Sequence, residues 1–229
     1  MESAYVKPLL LFDMDGTLIL YNHGDTHGSA RNIKAQMKRL AIKSGVPTEQ
    51  VRDLNRMAHI WNTVRKHLEK NNIPDNDLMT QMNDLFLVVE RREHNLSVLL
   101  PHTISSLQTL SDEGYEMGVV TSASRESYNN LSTSDEYNQF GSFFINSITR
   151  DDVRYIKPDP EPLTQMMELC DRRDVVYIGD SDHDGYAAQA ANCNFVLINT
   201  RPYSTEAIES LQPDAVIENL SQLPTYLRN

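Results

Sequence analysis

Residues 9–19, LLLFDMDGTLI, run as an unbroken apolar stretch into two aspartates separated by Met14. A short continuous apolar run predicts a strand buried on both faces, over residues 8–13. Ending such a strand in two like charges costs several kcal/mol per carboxylate unless a partner is supplied. From about residue 22 to 99 the period changes. In VRDLNRMAHIWNTVRKHL, residues Val51, Leu54, Ala58, Trp61, Val64 and Leu68 fall on one stripe at spacings of three and four, predicting an amphipathic helix. Gly45-Val46-Pro47 before Thr48 reads as a stop and a new N-cap, and Ile73-Pro74 ends that helix. DLMTQMNDLFLVVERR carries Leu78, Met82, Leu85 and Val89 on one face of a further helix. With no strand pattern between them, these segments predict a small helical bundle.

From residue 100 onward, helices alternate with short apolar runs. ISSLQTLSDEG predicts a helix ending at Gly114, and YEMGVVT a strand stopping at Thr121-Ser122-Ala123-Ser124. SFFINS is a further candidate strand. DVVYIGDSD repeats the opening design, an apolar run ending in aspartates, and YAAQAANC after it predicts a helix. FVLINT and DAVIENL complete the series. Strands separated by helices imply an α/β fold: a Rossmann-like parallel sheet with helices on both faces, plus a small α-helical cap domain. The expected division is residues 1–20 and 100–229 for the α/β core and 21–99 for the cap.

Composition narrows the partners. Hydrophobic residues make up 40% and charged residues 23% of the 229-residue chain, as in a globular protein, and the net charge is −11. Without a basic run, that balance excludes a nucleic-acid partner on electrostatic grounds. No apolar run approaches the ~20 residues of a membrane span, and the N-terminus lacks the features of a signal peptide. Cys170 and Cys193 occur in unlike contexts, arguing for small buried hydrophobes instead of a disulfide. A cytoplasmic location is expected.

Three predicted strand ends carry the polar chemistry: Asp13 and Asp15; Thr121 and Ser122; Asp180, Ser181, Asp182 and Asp184. A parallel sheet brings such ends to one edge, where several carboxylates would repel one another. A divalent cation relieves the repulsion, and an all-oxygen donor set suits Mg²⁺. No HxH or HExxH pattern points to zinc.

DMDGT at 13–17, VVTSAS with Thr121-Ser122 after its apolar start, Lys157 within IKPDP, and GDSxxD at 179–184 within VVYIGDSDHD together resemble, in order, the four signatures of the haloacid dehalogenase (HAD) superfamily in its phosphatase form. The placement of the helical segment resembles the phosphoglycolate-phosphatase-like subgroup, whose cap follows the first signature. The resemblance implies Asp13 as nucleophile and Asp15 as acid/base. It implies a Mg²⁺ site from the Asp13 carboxylate, the Asp15 backbone carbonyl and Asp180. Thr121, with Ser122 as its competitor by register, and Lys157 would hold phosphoryl oxygens. Thr17 would position the first loop, and Asp184 would support the metal or orient Lys157.

The implied partner is a small phosphorylated metabolite: a phosphoglycolate-like acid, a sugar phosphate or a nucleotide. After DGTL the chain departs from the subgroup, running on as Ile-Leu-Tyr-Asn-His-Gly, so the resemblance does not name the substrate. A phosphomutase of the β-phosphoglucomutase type and a non-catalytic protein of the same fold are the alternatives, although GDSxxD at 179–184 favours hydrolysis. Asp182 and His183 receive no role. Arg52, Arg56, Arg65, Lys66 and His67 read as a solvated helix face, and Trp61 as core. Family members of this size imply a monomer or homodimer.

Overall fold

The computed structural model describes residues 6–21, 27–75, 77–94, 97–133, 140–201 and 203–228. Among them, the strands β1 (Leu9–Phe12), β4 (Met117–Val120), β5 (Asn146–Ile148), β6 (Val175–Gly179), β7 (Asn194–Ile198) and β8 (Ala215–Ile217) form one sheet in the order β5-β4-β1-β6-β7-β8. Every pairing in it is parallel. Strand β1 is central, with β4 on one side and β6 on the other, so the chain order reverses there, and ligands bind beyond the carboxyl ends of strands at such a switch point.

Burial of β1 on both faces follows the two-residue alternation of a strand. Leu9 and Leu11 join a cluster with Leu163, Met166 and Ala187. Leu10 and Phe12 join the opposite one, with Leu107, Leu110 and Leu223. The helices supplying these residues are α5 (Thr103–Asp112), α7 (Glu161–Leu169), α8 (Asp182–Ala191) and α10 (Leu223–Leu227), while α6 (Arg125–Ser132) and α9 (Thr205–Leu211) complete the connections. Helices on both faces of a parallel sheet are the architecture expected from the sequence.

Between β1 and β4 in sequence lie α1 (His27–Lys43), α2 (Thr48–Val51), α3 (Met57–Lys70) and α4 (Leu78–His94). Their apolar faces, including Ile33, Met37, Trp61, Val64 and Met82, belong to the same buried cluster as Leu9 and Leu11. The single helix expected across residues 48–72 is two. The break at residues 52–56 coincides with Asp53 and Asn55, whose side chains favour turns over helix interiors. The stripe survives it: Val51, Ala58, Trp61, Val64 and Leu68 are buried. Pro47 takes the N-cap position, and Thr48 is the first helical residue. In α4 the buried face runs through Leu78, Met79, Met82, Phe86 and Glu90, with Leu85 and Val89 at its edge.

The block read as purely helical also touches a strand. β2 (Ile19–Tyr21) and β3 (Ser97–Leu99) pair antiparallel, Leu20 facing Val98, and Leu100 N–H donates to Leu18 O at 3.0 Å. Three-residue strands are too short to show a period. SFFINS is likewise divided: Phe140–Phe143 form a 3-10 turn, and only Asn146–Ile148 pair with β4. No helix of the described residues is long and apolar enough to cross a membrane.

Candidate active site

Three adjacent strand ends build the site. Asp13 follows β1 and donates its backbone N–H to Ile178 O at 2.8 Å, Thr121 follows β4, and Asp180 follows β6. After Asp13 the chain turns sharply: Leu18 N–H and Ile19 N–H both donate to Met14 O, and Gly16 N–H donates to Ile19 O. Gly16 adopts φ +89°, and a Cβ there would stand 2.3 Å from Asp180 Oδ2. Glycine is thus required both by the backbone conformation and by the close approach of Asp180. Thr17 is fully buried in this turn, its hydroxyl without a hydrogen-bond partner. Thr200 Oγ1 braces the same turn by donating to Gly16 O at 3.1 Å.

Lys157 is buried at the centre. Its ammonium lies 2.6 Å from Asp13 Oδ1, 2.6 Å from Asp184 Oδ1 and 2.6 Å from the Tyr177 hydroxyl, and it donates to Val120 O at 3.2 Å. Burial alone would lower its pKa, but the Asp13 and Asp184 charges raise it, so the lysine is held as an ammonium. Burial would raise Asp184. The Lys157 charge and hydrogen bonds from Lys157, Ser181 and Tyr177 outweigh burial and hold it below the usual carboxylate range. Asp184 and Ser181 also form a reciprocal cap at the start of α8, each side chain accepting from the other's backbone N–H.

Asp13 is pushed well up, first by burial and then by the Asp184 charge, against the pull of Lys157. Asp180 is pushed up to about 7 by burial and Asp184, with Arg201 and Lys157 opposing. Oδ1 of Asp180 is buried without a hydrogen-bond partner, and Oδ2 lies 2.7 Å from the Arg201 guanidinium. Carboxylate oxygens of Asp13, Asp180 and Asp184 lie within 4.8 Å of one another, the one such group among the described residues. A buried, oxygen-only cluster with an orphaned carboxylate oxygen and an excess of negative charge fits Mg²⁺. Asp184, expected from the resemblance in a supporting position, is the third carboxylate of this group; the Asp15 side chain is not part of it and is half-buried.

Thr121 is buried, and its Oγ1 accepts from Ala123 N–H at 3.0 Å, leaving the hydroxyl proton free to donate. Ser122 is half-buried, with its carbonyl accepting from Arg150 at 2.9 Å. Ser124 caps α6 by accepting from Ser127 N–H. Asp182 opens α8 and pairs bidentately with Arg56 at 2.8 and 2.9 Å, tying α8 to α3. His183 lies against His59 with ring centroids 4.8 Å apart and the rings tilted by 39°, and burial, then Arg56, lowers its pKa to about 4. Trp61 is core: it packs edge-on against Phe86 and donates to Arg154 O at 3.0 Å. Cys170 and Cys193 are free and half-buried.

Three groups escape a reading of the sequence. Tyr177 sits inside an apolar strand and reads as core, yet its hydroxyl contacts Lys157, Val120 O and Asp184. Glu90 and Arg150 carry no local signal of burial, yet form a buried ion pair. Glu90 accepts from Ser124 N–H and Ser127 Oγ; Arg150 also donates to Asn83 and lies 4.4 Å over the Phe86 ring.

The family model described as haloacid dehalogenase-like hydrolase matches residues 10–198, most of the chain. The chain belongs to this family. Pyrophosphatase PpaX of Bacillus mycoides (strain KBAB4) is 30% identical over 120 residues, 52% of this chain and 54% of that protein. The chain therefore spans about half the length of the curated relatives it matches. In fold, it resembles a haloacid dehalogenase-like hydrolase from Bacteroides fragilis, with TM-score 0.65 and 22% identity over 95% of this chain and 100% of that one. It also resembles a predicted phosphoglycolate phosphatase from Haemophilus somnus, with TM-score 0.60 and 17% identity over 98% and 99% of the two chains.

Proposed function

We propose that this hydrolase is a Mg²⁺-dependent phosphatase of small phosphorylated metabolites. The observation that carries the reading is the buried Lys157 ammonium, bridging Asp13 and Asp184 beside the unpartnered Oδ1 of Asp180. In this reading Asp13 attacks phosphorus while the ester P–O bond breaks, and Asp15 gives its proton to the leaving oxygen. Asp15 then takes a proton from the water that cleaves the aspartyl-phosphate, releasing phosphate and restoring Asp13. Thr121, Ser122 and Lys157 hold the phosphoryl oxygens as charge develops. Mg²⁺, held by Asp13, the Asp15 carbonyl and Asp180, would neutralise phosphoryl charge and keep the acidic cluster ionised. Asp184 holds Lys157, and Thr17 supports the first turn.

The segment of α1–α4 is read as a cap over the site, part of a division into residues 1–20 and 100–229 against 21–99. The curated relatives named as pyrophosphatases place inorganic pyrophosphate in the substrate panel beside phosphoglycolate, sugar phosphates and nucleotides. The test is a phosphate-release screen across that panel with Mg²⁺. Release by wild type and none by Asp13→Asn supports the reading; no release from any member, or equal release by both proteins, overturns it.

A further inference from the structure

Helix α3 meets the loop at residues 154–159 along a seam of mixed contacts. Trp61 donates to Arg154 O at 3.0 Å, and Lys66 pairs with Asp159 at 3.6 Å. Between them stands Asn62, buried on the helix face. Its Nδ2 donates to Ile156 O at 2.6 Å, and its Oδ1 accepts from Ile156 N–H at 3.0 Å. One side chain thereby contacts both polar groups of one buried residue: it is the partner of the Ile156 N–H and a second donor to Ile156 O, which also accepts from Asp159 N–H at 3.1 Å. The next residue in the chain is Lys157.

We propose that Asn62 is a positioning residue for Lys157, fixing the backbone from which the ammonium reaches Asp13. This inference rests on the reading of Lys157 as a phosphoryl-binding group. A lysine has a long, freely rotating stem, and its four partners hold only the far end. The near end is set by the Ile156–Lys157 backbone, so an error there displaces the ammonium. Asparagine suits the task because its amide carries a donor and an acceptor side by side. Alanine supplies neither. A carboxylate supplies the acceptor but turns a negative oxygen toward Ile156 O. The consequence is that the helical segment contributes to the geometry of the reacting groups as well as covering them.

The experiment compares steady-state hydrolysis of an aryl phosphate by the full chain and by the variants Asn62→Ala, Asn62→Asp, Trp61→Phe and Asp13→Asn. Asn62→Ala should lower kcat by about tenfold or more, with a smaller change in KM. Trp61→Phe loses a hydrogen bond in the same seam, but not at the residue before Lys157, and should keep kcat within about twofold. In Asn62→Asp the carboxyl regains a donor when protonated, so its kcat relative to wild type should rise as the pH falls, while that of Asn62→Ala stays flat. An Asn62→Ala enzyme within about twofold of wild type, or Trp61→Phe losing as much as Asn62→Ala, overturns the proposal. Should Asn62→Ala not fold, a flat Asn62→Asp ratio overturns it. Absence of turnover in wild type overturns the phosphatase reading itself, and the positioning role with it. An inactive Asp13→Asn beside an unimpaired Asn62→Ala overturns the positioning role alone.

Discussion

The Lys157 ammonium lies 2.6 Å from the Asp13 carboxylate, and both side chains are buried. The pair is therefore an ion pair that solvent does not weaken. Lys157 also pairs with Asp184, so removing the ammonium leaves two buried carboxylates without their cation, whereas Asp13→Asn leaves Lys157 paired. Lys157→Met should cost roughly 3–5 kcal/mol of stability and about a hundredfold or more in kcat. Denaturant titration and phosphate release measure the two. Asp13→Asn should abolish turnover while the far-ultraviolet circular dichroism stays that of wild type.

Tyr177 offers a more delicate test. Its hydroxyl touches Lys157, Val120 O and Asp184, and is kept protonated by burial and then by the Asp184 and Asp13 charges. Tyr177→Phe preserves the ring in the core and removes one anchor of the lysine. Stability should drop by roughly 1–3 kcal/mol and kcat by about tenfold, read from chemical denaturation and initial rates.

With Asp180 as a Mg²⁺ ligand, the role proposed for it, a carboxyl pushed up to about 7 makes metal affinity depend on pH. Below that value a proton occupies the group and competes with Mg²⁺; above it the charged carboxylate is open to the ion. Apparent Mg²⁺ affinity should therefore rise as the pH increases through about 7, with proton release on binding, both measurable by titration calorimetry in buffers of different ionisation enthalpy. The stability sign is the reverse without metal. A carboxyl raised on folding contributes stability at pH below its unfolded pKa, and this is lost as the pH rises through about 7. Added Mg²⁺ should raise the thermal midpoint most on the alkaline side.

Glu90 and Arg150 join α4 to the end of β5 through a buried pair. Burial would raise the glutamate, but Arg150 and its other donors hold it below the usual range, so its contribution is present above the ordinary carboxylate pKa and lost in acid. Glu90→Ala should destabilise by roughly 3–5 kcal/mol. The double variant Glu90→Leu with Arg150→Met should recover most of that loss, because it strands no charge. Denaturation midpoints of the three proteins decide this.

The sheet was legible because β1, β4 and β6 are apolar runs that stop at polar residues, a pattern confined to neighbours in sequence. The same holds for Asp13, Thr121 and Asp180, each fixed by the strand before it. What escaped depends on distance. Asn62 and Ile156 are 94 residues apart, and Arg150 and Glu90 are 60 apart, so no local pattern marks either partner as buried. Tyr177 fits its apolar strand equally well with or without a role for its hydroxyl. The break between α2 and α3 lay within reach, since Asp53 and Asn55 are turn-forming residues; the apolar stripe running through it hid the interruption.

The short β2–β3 ribbon has a consequence for how such chains vary. It brings the departure of the chain at Tyr21 and its return at Ser97 side by side, separated by only the spacing of two paired strands. A segment whose two ends are already neighbours can be lengthened, shortened or exchanged at little entropic cost to the sheet that receives it. The ribbon thus works as a socket: on the proposed reading the chemistry stays with β1, β4 and β6, and the chain between the two short strands can change in length without parting its ends.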